Sequence, residues 1–190
     1  IVFDLDGVLV DTERLKFRAH RAAVRAGGGT LGRDDYRRGM GRPHDEVIRL
    51  FLDAAGLPTD PETAEAYEER FRADYRGRLD EELAPTPGAA DLLEAGRRGG
   101  RRLALVTSSD PWMVEIVLGR LGWEDRFETV VTAADVEAEK PDPEPYRRAL
   151  AGLGANGAAE AVAVEDTEAG VVSAAGADLP VVAVRHDFNG

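Results

Sequence analysis

Apolar and polar positions follow two rhythms along this chain, and the change of rhythm divides it. Ile1-Val2-Phe3 is a short apolar run that leads into Asp4 and Asp6, with one residue between the two carboxylates. Side chains two apart on a strand share a face, so a buried strand over Ile1 to Leu5 delivers both acids on one side of its carboxyl end. Gly7 then permits a sharp turn. From Glu13 the apolar residues recur at helical spacing. Leu15, Ala19, Ala22, Ala23 and Ala26 predict a helix from Glu13 to Ala26, stopped by Gly27-Gly28-Gly29. A short helix is expected over Asp34 to Met40. A stronger one runs from His44 to Ala55, and a further one opens at Pro61 and reaches about Leu79. No strand pattern interrupts this stretch, which reads as a small helical bundle. Tyr67, Phe71 and Tyr75 fall at core positions of it, and Trp112 further along is also assigned to a core.

Pro85, Pro87 and Gly88 mark a boundary, after which strand and helix patterns alternate. Helices are predicted over Ala89 to Arg98, Pro111 to Leu121, Pro143 to Leu153 and Ala169 to Ala175. Buried strands fall at 103–106, 129–131, 161–164 and 181–184. Such alternation predicts an α/β fold, a Rossmann-like parallel sheet with helices on both faces. The first strand belongs to that sheet. Residues 1–12 and 86–190 therefore form the core domain, and residues 13–85 are inserted in it as a helical bundle.

Composition narrows the partners. The 190 residues carry a net charge of −12, which argues against nucleic acid and against an anionic membrane surface. No apolar run approaches the ~20 residues needed to span a bilayer, and with no cysteine, thiolate metal sites and thiol nucleophiles are excluded. The expected location is cytoplasmic, and the expected state a monomer, with a dimer left open. The start at Ile1 suggests that a few residues are missing in front, and the stop at Asn189-Gly190, just after a strand, that a C-terminal piece is absent. Lys16 and Lys140 are the two lysines in a chain otherwise basic through arginine. A compact point charge has thus been kept at two positions.

In open parallel sheets ligands bind beyond the carboxyl ends of the strands. Asp4 and Asp6 stand there, with Thr107-Ser108-Ser109 after the strand ending at Val106 and Glu165-Asp166 after Val164. Lys140-Pro141-Asp142-Pro143 lies in a loop at the same edge. Singly these are an acidic turn, helix caps and a proline-opened loop; their co-occurrence in this order is the signal. Close carboxylates repel, and a hard divalent cation such as Mg²⁺ relieves that repulsion.

Asp4-Leu5-Asp6-Gly7-Val8-Leu9-Val10-Asp11, Val106-Thr107-Ser108-Ser109, Lys140-Pro141-Asp142-Pro143 and Glu165-Asp166 together resemble the four motifs of the haloacid dehalogenase superfamily, in that order. The likeness is to its branch with a helical cap, which holds β-phosphoglucomutase and related sugar-phosphate phosphatases. It implies a Mg²⁺-dependent phosphatase of small phosphorylated metabolites. Asp4 is then the nucleophile that forms an aspartyl-phosphate, and Asp6 the general acid and base. Asp4, Leu5, Asp6, Thr107, Ser108 and Lys140 bind the phosphoryl group, Leu5 and Ser108 through backbone amides. Asp4, Asp166, the Asp6 carbonyl and Glu165 through water serve the metal.

The cap is implied to close over the core and choose the substrate. Arg42, in Gly39-Met40-Gly41-Arg42, matches a substrate-binding arginine. Lys16 stands where the mutase carries a histidine, a departure that favours hydrolysis over mutation. His20 and His44 read as structural or exposed. Two alternatives stay open, a phosphomutase and a non-catalytic phosphometabolite-binding protein; the intact Asp4, Asp6, Lys140 and Asp166 speak against the latter.

Overall fold

A computed structural model of the chain describes residues 1–40, 42, 44–155 and 160–185. Gly41 of the Gly39-to-Arg42 turn and the closing Asn189-Gly190 lie outside the described residues. In chain order, β1 (Val2–Phe3) is followed by four helices: α1 (Glu13–Ala26), α2 (Arg33–Gly39), α3 (His44–Ala54) and α4 (Pro61–Glu82). Then come α5 (Ala89–Arg98), β2 (Ala104–Val106), α6 (Pro111–Leu121), β3 (Thr129–Val131), α7 (Glu144–Gly152), β4 (Ala163–Glu165), α8 (Glu168–Gly176) and β5 (Val181–Ala183). The chain separates into two compact units, Ile1–Asp11 with Leu83–Gly190, and Thr12–Glu82.

The first unit is an α/β fold around five parallel strands in the order β3-β2-β1-β4-β5. β1 lies in the middle, with Val2 opposite both Ala104 and Ala163 and Phe3 opposite both Leu105 and Val164. The central strands are apolar because helices cover both of their faces. On one face Val2, Ala104, Val106, Val131 and Ala163 pack with Tyr146, Ala149 and Leu153 and with Ala174 and Leu179. Chain order reverses between β1 and β4, which opens a crevice at their carboxyl ends.

The ladder of β1 is shorter than the expected Ile1 to Leu5. Gly7, at φ 81°, turns the chain back, its N–H donating to Val10 O at 2.8 Å and that of Leu9 to Leu5 O at 2.9 Å. The Asp4 N–H still donates to Val164 O at 2.9 Å, so its carboxylate is held at the strand's end. Strand β4 starts two residues later than expected and ends one later, because Glu165 remains in the ladder opposite Ala183. Trp112, assigned to a core from the sequence, is only partly buried; its indole N–H donates to Asp110 at 3.2 Å.

Helix α7 presses Gly152 onto β3. A Cβ at that position would sit 2.5 Å from Thr129 Oγ1 and 2.6 Å from its Cγ2. Gly152→Ala is therefore expected to cost about 1–3 kcal/mol in urea unfolding, most of it recovered when Thr129→Ala is added.

In the second unit α1 packs along α4, and α3 against both α2 and α4. The four helices meet at His20. Phe71 stacks on its ring with centroids 4.0 Å apart, Phe51 meets it edge-on at 5.0 Å, and Tyr36 lies at 5.8 Å. Its Nδ1 is 2.5 Å from the Tyr67 hydroxyl. Helix α4 runs past the expected stop at Leu79 to Glu82, where Arg78 bridges one turn back to Asp74 and one turn on to Glu82. Among the described residues no helix is long and apolar enough to cross a membrane.

Candidate active site

The ends of β1, β2 and β4 and the loop before α7 bring the polar residues of the first unit together. Lys140 arrives from a loop braced by its own side chains: Glu144 accepts from the N–H groups of Glu137 and Ala138, and Asp142 accepts from the Glu144 N–H. Ser173 on α8 ties the same loop down through Asp142 O. The Lys140 side chain is 6% exposed, and its ammonium donates to Asp4 Oδ1 at 2.6 Å, to Glu165 Oε1 at 2.6 Å and to Val106 O at 3.0 Å. Three acceptors use all the donors a lysine has.

One oxygen from each of Asp4, Glu165 and Asp166 falls within 4.8 Å of the others. Oδ1 of Asp166 is buried without a hydrogen bond. Three carboxylates against a single lysine leave the spot net negative. Burial, opposed by Lys140 and aided by Glu165, Asp166 and Asp6, pushes the Asp4 carboxyl well above the usual carboxylate range. Burial also works against the Lys140 ammonium, but Asp4 and Glu165 outweigh it and hold its pKa above the ordinary value. A donor set of hard oxygens with surplus negative charge fits a divalent cation such as Mg²⁺.

Asp6 lies outside that trio. Its Oδ2 accepts from the Ser109 hydroxyl at 2.6 Å. Thr107 is buried, and its Oγ1 accepts from the Ser109 N–H at 3.0 Å, which leaves the hydroxyl proton to donate elsewhere. Leu5, directly after Asp4, is buried, and Ser108, directly after Thr107, is exposed. The two candidates in the helical unit have local partners. Lys16 pairs with Glu13 at 3.5 Å, and Glu13 also accepts from the Tyr36 hydroxyl at 2.9 Å. Arg42 is exposed, its Nε donating to Arg38 O at 2.8 Å. His20 is buried among aromatic rings and His44 is exposed beside Glu68.

Sequence reasoning passed over Ser109, which donates to Asp6, and Tyr146 and Gly170, which lie against Glu165. Ser109 was within the quoted Thr107-Ser108-Ser109 run. Tyr146 and Gly170 carried no signal, being an aromatic and a glycine inside helices.

A family model described as haloacid dehalogenase-like hydrolase matches residues 1–184. A phosphorylated carbohydrates phosphatase of Thermotoga maritima is 33% identical over 191 residues, covering 100% of this chain and 86% of that protein. A Thermotoga maritima crystal structure, provisionally named a beta-phosphoglucomutase, matches with a TM-score of 0.83 at 32% identity, over 100% of this chain and 86% of that one. A mutant of CbbY from Rhodobacter sphaeroides, in complex with xylulose-(1,5)bisphosphate, matches with a TM-score of 0.87 at 29% identity, over 99% and 86%.

Proposed function

The chain belongs to the haloacid dehalogenase-like hydrolase family, and from that premise we propose that it is a Mg²⁺-dependent phosphatase of small phosphorylated metabolites, sugar phosphates first. The observation that carries this reading is the buried meeting of Asp4 and Lys140 at 2.6 Å, beside Glu165 and Asp166. Mg²⁺ held by Asp4, Asp166 and the Asp6 carbonyl would neutralise phosphoryl charge. The remaining work belongs to the chain. Lys140 fixes one oxygen of Asp4, and the Asp4 carboxylate attacks phosphorus as the bond to the leaving oxygen breaks. Asp6 hands its proton to that leaving oxygen. The Thr107 hydroxyl and the amides of Leu5 and Ser108 hold phosphoryl oxygens in place. Asp6, now a carboxylate, takes a proton from the water that cleaves the aspartyl-phosphate, and inorganic phosphate leaves.

The helical unit, residues 13–85 by this reading, serves as the cap that chooses the substrate, with Lys16 and Arg42 as its anion- or hydroxyl-binding groups. A phosphomutase shares the first half-reaction, and the likeness to a provisionally named beta-phosphoglucomutase supports it as the second reading. A phosphosugar panel assayed with Mg²⁺ separates the two. Free phosphate supports the phosphatase, and isomerised sugar phosphate without free phosphate overturns it in favour of the mutase. Lys16→Ala and Arg42→Ala are each expected to lower kcat/KM for the best metabolite about 10-fold, and for p-nitrophenyl phosphate by less than about 3-fold. Equal losses on both substrates would remove these two residues from recognition.

A further inference from the structure

Glu165 is fully buried, and its carboxylate is surrounded on every side. Oε1 accepts from Lys140 Nζ at 2.6 Å and from the Tyr146 hydroxyl at 2.7 Å. Oε2 accepts from the N–H groups of Asp166 at 3.0 Å and Thr167 at 3.3 Å, and from the Thr167 hydroxyl at 3.3 Å. A carboxylate offers about four lone-pair sites, and here five donors fill them. Oε1 could meet a cation only by giving up the lysine or the tyrosine. By contrast, Asp4 engages Lys140 through Oδ1.

The place where this carboxylate lies was made by leaving out a side chain. A Cβ on Gly170 would fall 1.9 Å from Oε1, 2.0 Å from Cδ and 2.2 Å from Oε2 of Glu165. The first turn of α8 therefore carries the acid on its backbone face, with the Gly170 N–H turned to Thr167 Oγ1 at 3.0 Å. On the opposite side Tyr146 is buried and its ring lies 5.4 Å from Lys140 Nζ, so the tyrosine touches both members of the pair.

We infer that Glu165 is not a ligand of the cation but a fixed counter-charge that aims Lys140 at Asp4, and that Tyr146 and Gly170 are positioning residues that keep it there. The aim of the lysine depends on this cradle. Without the Tyr146 hydroxyl, Oε1 keeps one strong donor and can swing, and Lys140 swings with it. With a methyl at position 170 the carboxylate must leave its seat. The inference rests on the phosphatase reading for its catalytic consequence, though not for its statement about the metal.

The experiment has two arms. In calorimetric titration with Mg²⁺ alone, Asp166→Asn is expected to weaken binding at least about 10-fold and Glu165→Gln by less than about 3-fold. Equal affinity of these two variants overturns the inference. In steady-state turnover of p-nitrophenyl phosphate, Tyr146→Phe is expected to lower kcat about 10-fold with KM nearly unchanged, yet less than about 2-fold further when Glu165 is already Gln. The same loss in both backgrounds, or no loss in either, overturns it. Gly170→Ala should match Glu165→Gln in kcat; if it does not fold, as judged by circular dichroism, Tyr146→Phe decides this arm. An inactive wild type would sink the phosphatase reading, while the calorimetric order would still decide the assignment of Glu165.

Discussion

Asp4→Asn is expected to lose phosphatase turnover by at least about four orders of magnitude, with no fall in melting temperature. The amide cannot attack phosphorus, and no neighbouring group can take its place, because Glu165 is tied to Lys140 and Tyr146 and Asp6 is turned to Ser109. Stability should move the other way. Asp4, Glu165 and Asp166 crowd around one ammonium, and burial with that crowding raises the Asp4 pKa far from its ordinary value. A neutral amide of the same shape removes a repelling charge and leaves Lys140 paired with Glu165 at 2.6 Å. In EDTA the variant should thus melt at or above the wild type, the usual sign of a site built for chemistry at the expense of stability. Retained turnover would refute covalent catalysis through Asp4. A marked drop in melting temperature would show that the Asp4–Lys140 pair holds the fold together.

The second large effect lies in the helical unit and concerns pH. Burial, with His44 and Lys16 nearby and Glu68 opposing them, lowers the His20 pKa from 6.5 to about 3. Folding therefore excludes a proton that the unfolded chain binds below pH 6.5. Stability is complete above that value and is lost as the pH falls from 6.5 towards 3. At 1.36 kcal/mol per unit, the loss is about 2 kcal/mol by pH 5 and on the order of 4 kcal/mol at pH 3. Within the helical unit the resolved carboxylate shifts, at Asp60 and Glu68, are downward, away from the interval between 6.5 and 5, so there the two effects separate. His20→Gln keeps a polar partner for the Tyr67 hydroxyl without a titrating ring. It should flatten the dependence of helical stability between pH 6.5 and 5, followed by circular dichroism in urea. An unchanged slope in that variant would assign the acid sensitivity to another group.

Much of the architecture was legible because its causes are local. The limits of α1 follow from an apolar stripe ending at Ala26 and three glycines after it, and α5 and α6 likewise begin and end where pattern and punctuation place them. The central strands were visible as unbroken apolar runs, since both faces of β2 are buried. Asp4, Lys140, Glu165 and Asp166 stood out as polar residues at strand ends and in a marked loop. Ser109 was visible only as part of a hydroxyl-rich turn, and its bond to Asp6 spans 103 positions. Tyr146 and Gly170 gave no sign. A tyrosine on the buried face of a helix looks like any core aromatic, and a helical glycine looks like a weak point until the group occupying its missing side chain is known.

The sequence by itself determined which segments are helix or strand, that the sheet is parallel, and which acids, hydroxyls and lysine stand at its carboxyl edge. Hydrophobic period, caps and breakers act over one or two turns of chain, and those a reader can follow residue by residue. Only the tertiary structure decided which oxygen each donor reaches. The strand order β3-β2-β1-β4-β5 sets β4 beside β1 and so gives Lys140 partners 136 and 25 positions away. Burial then turns those contacts into strong electrostatic couplings, because a charge removed from water is held by whatever lies within a few ångströms and not by its neighbours in sequence.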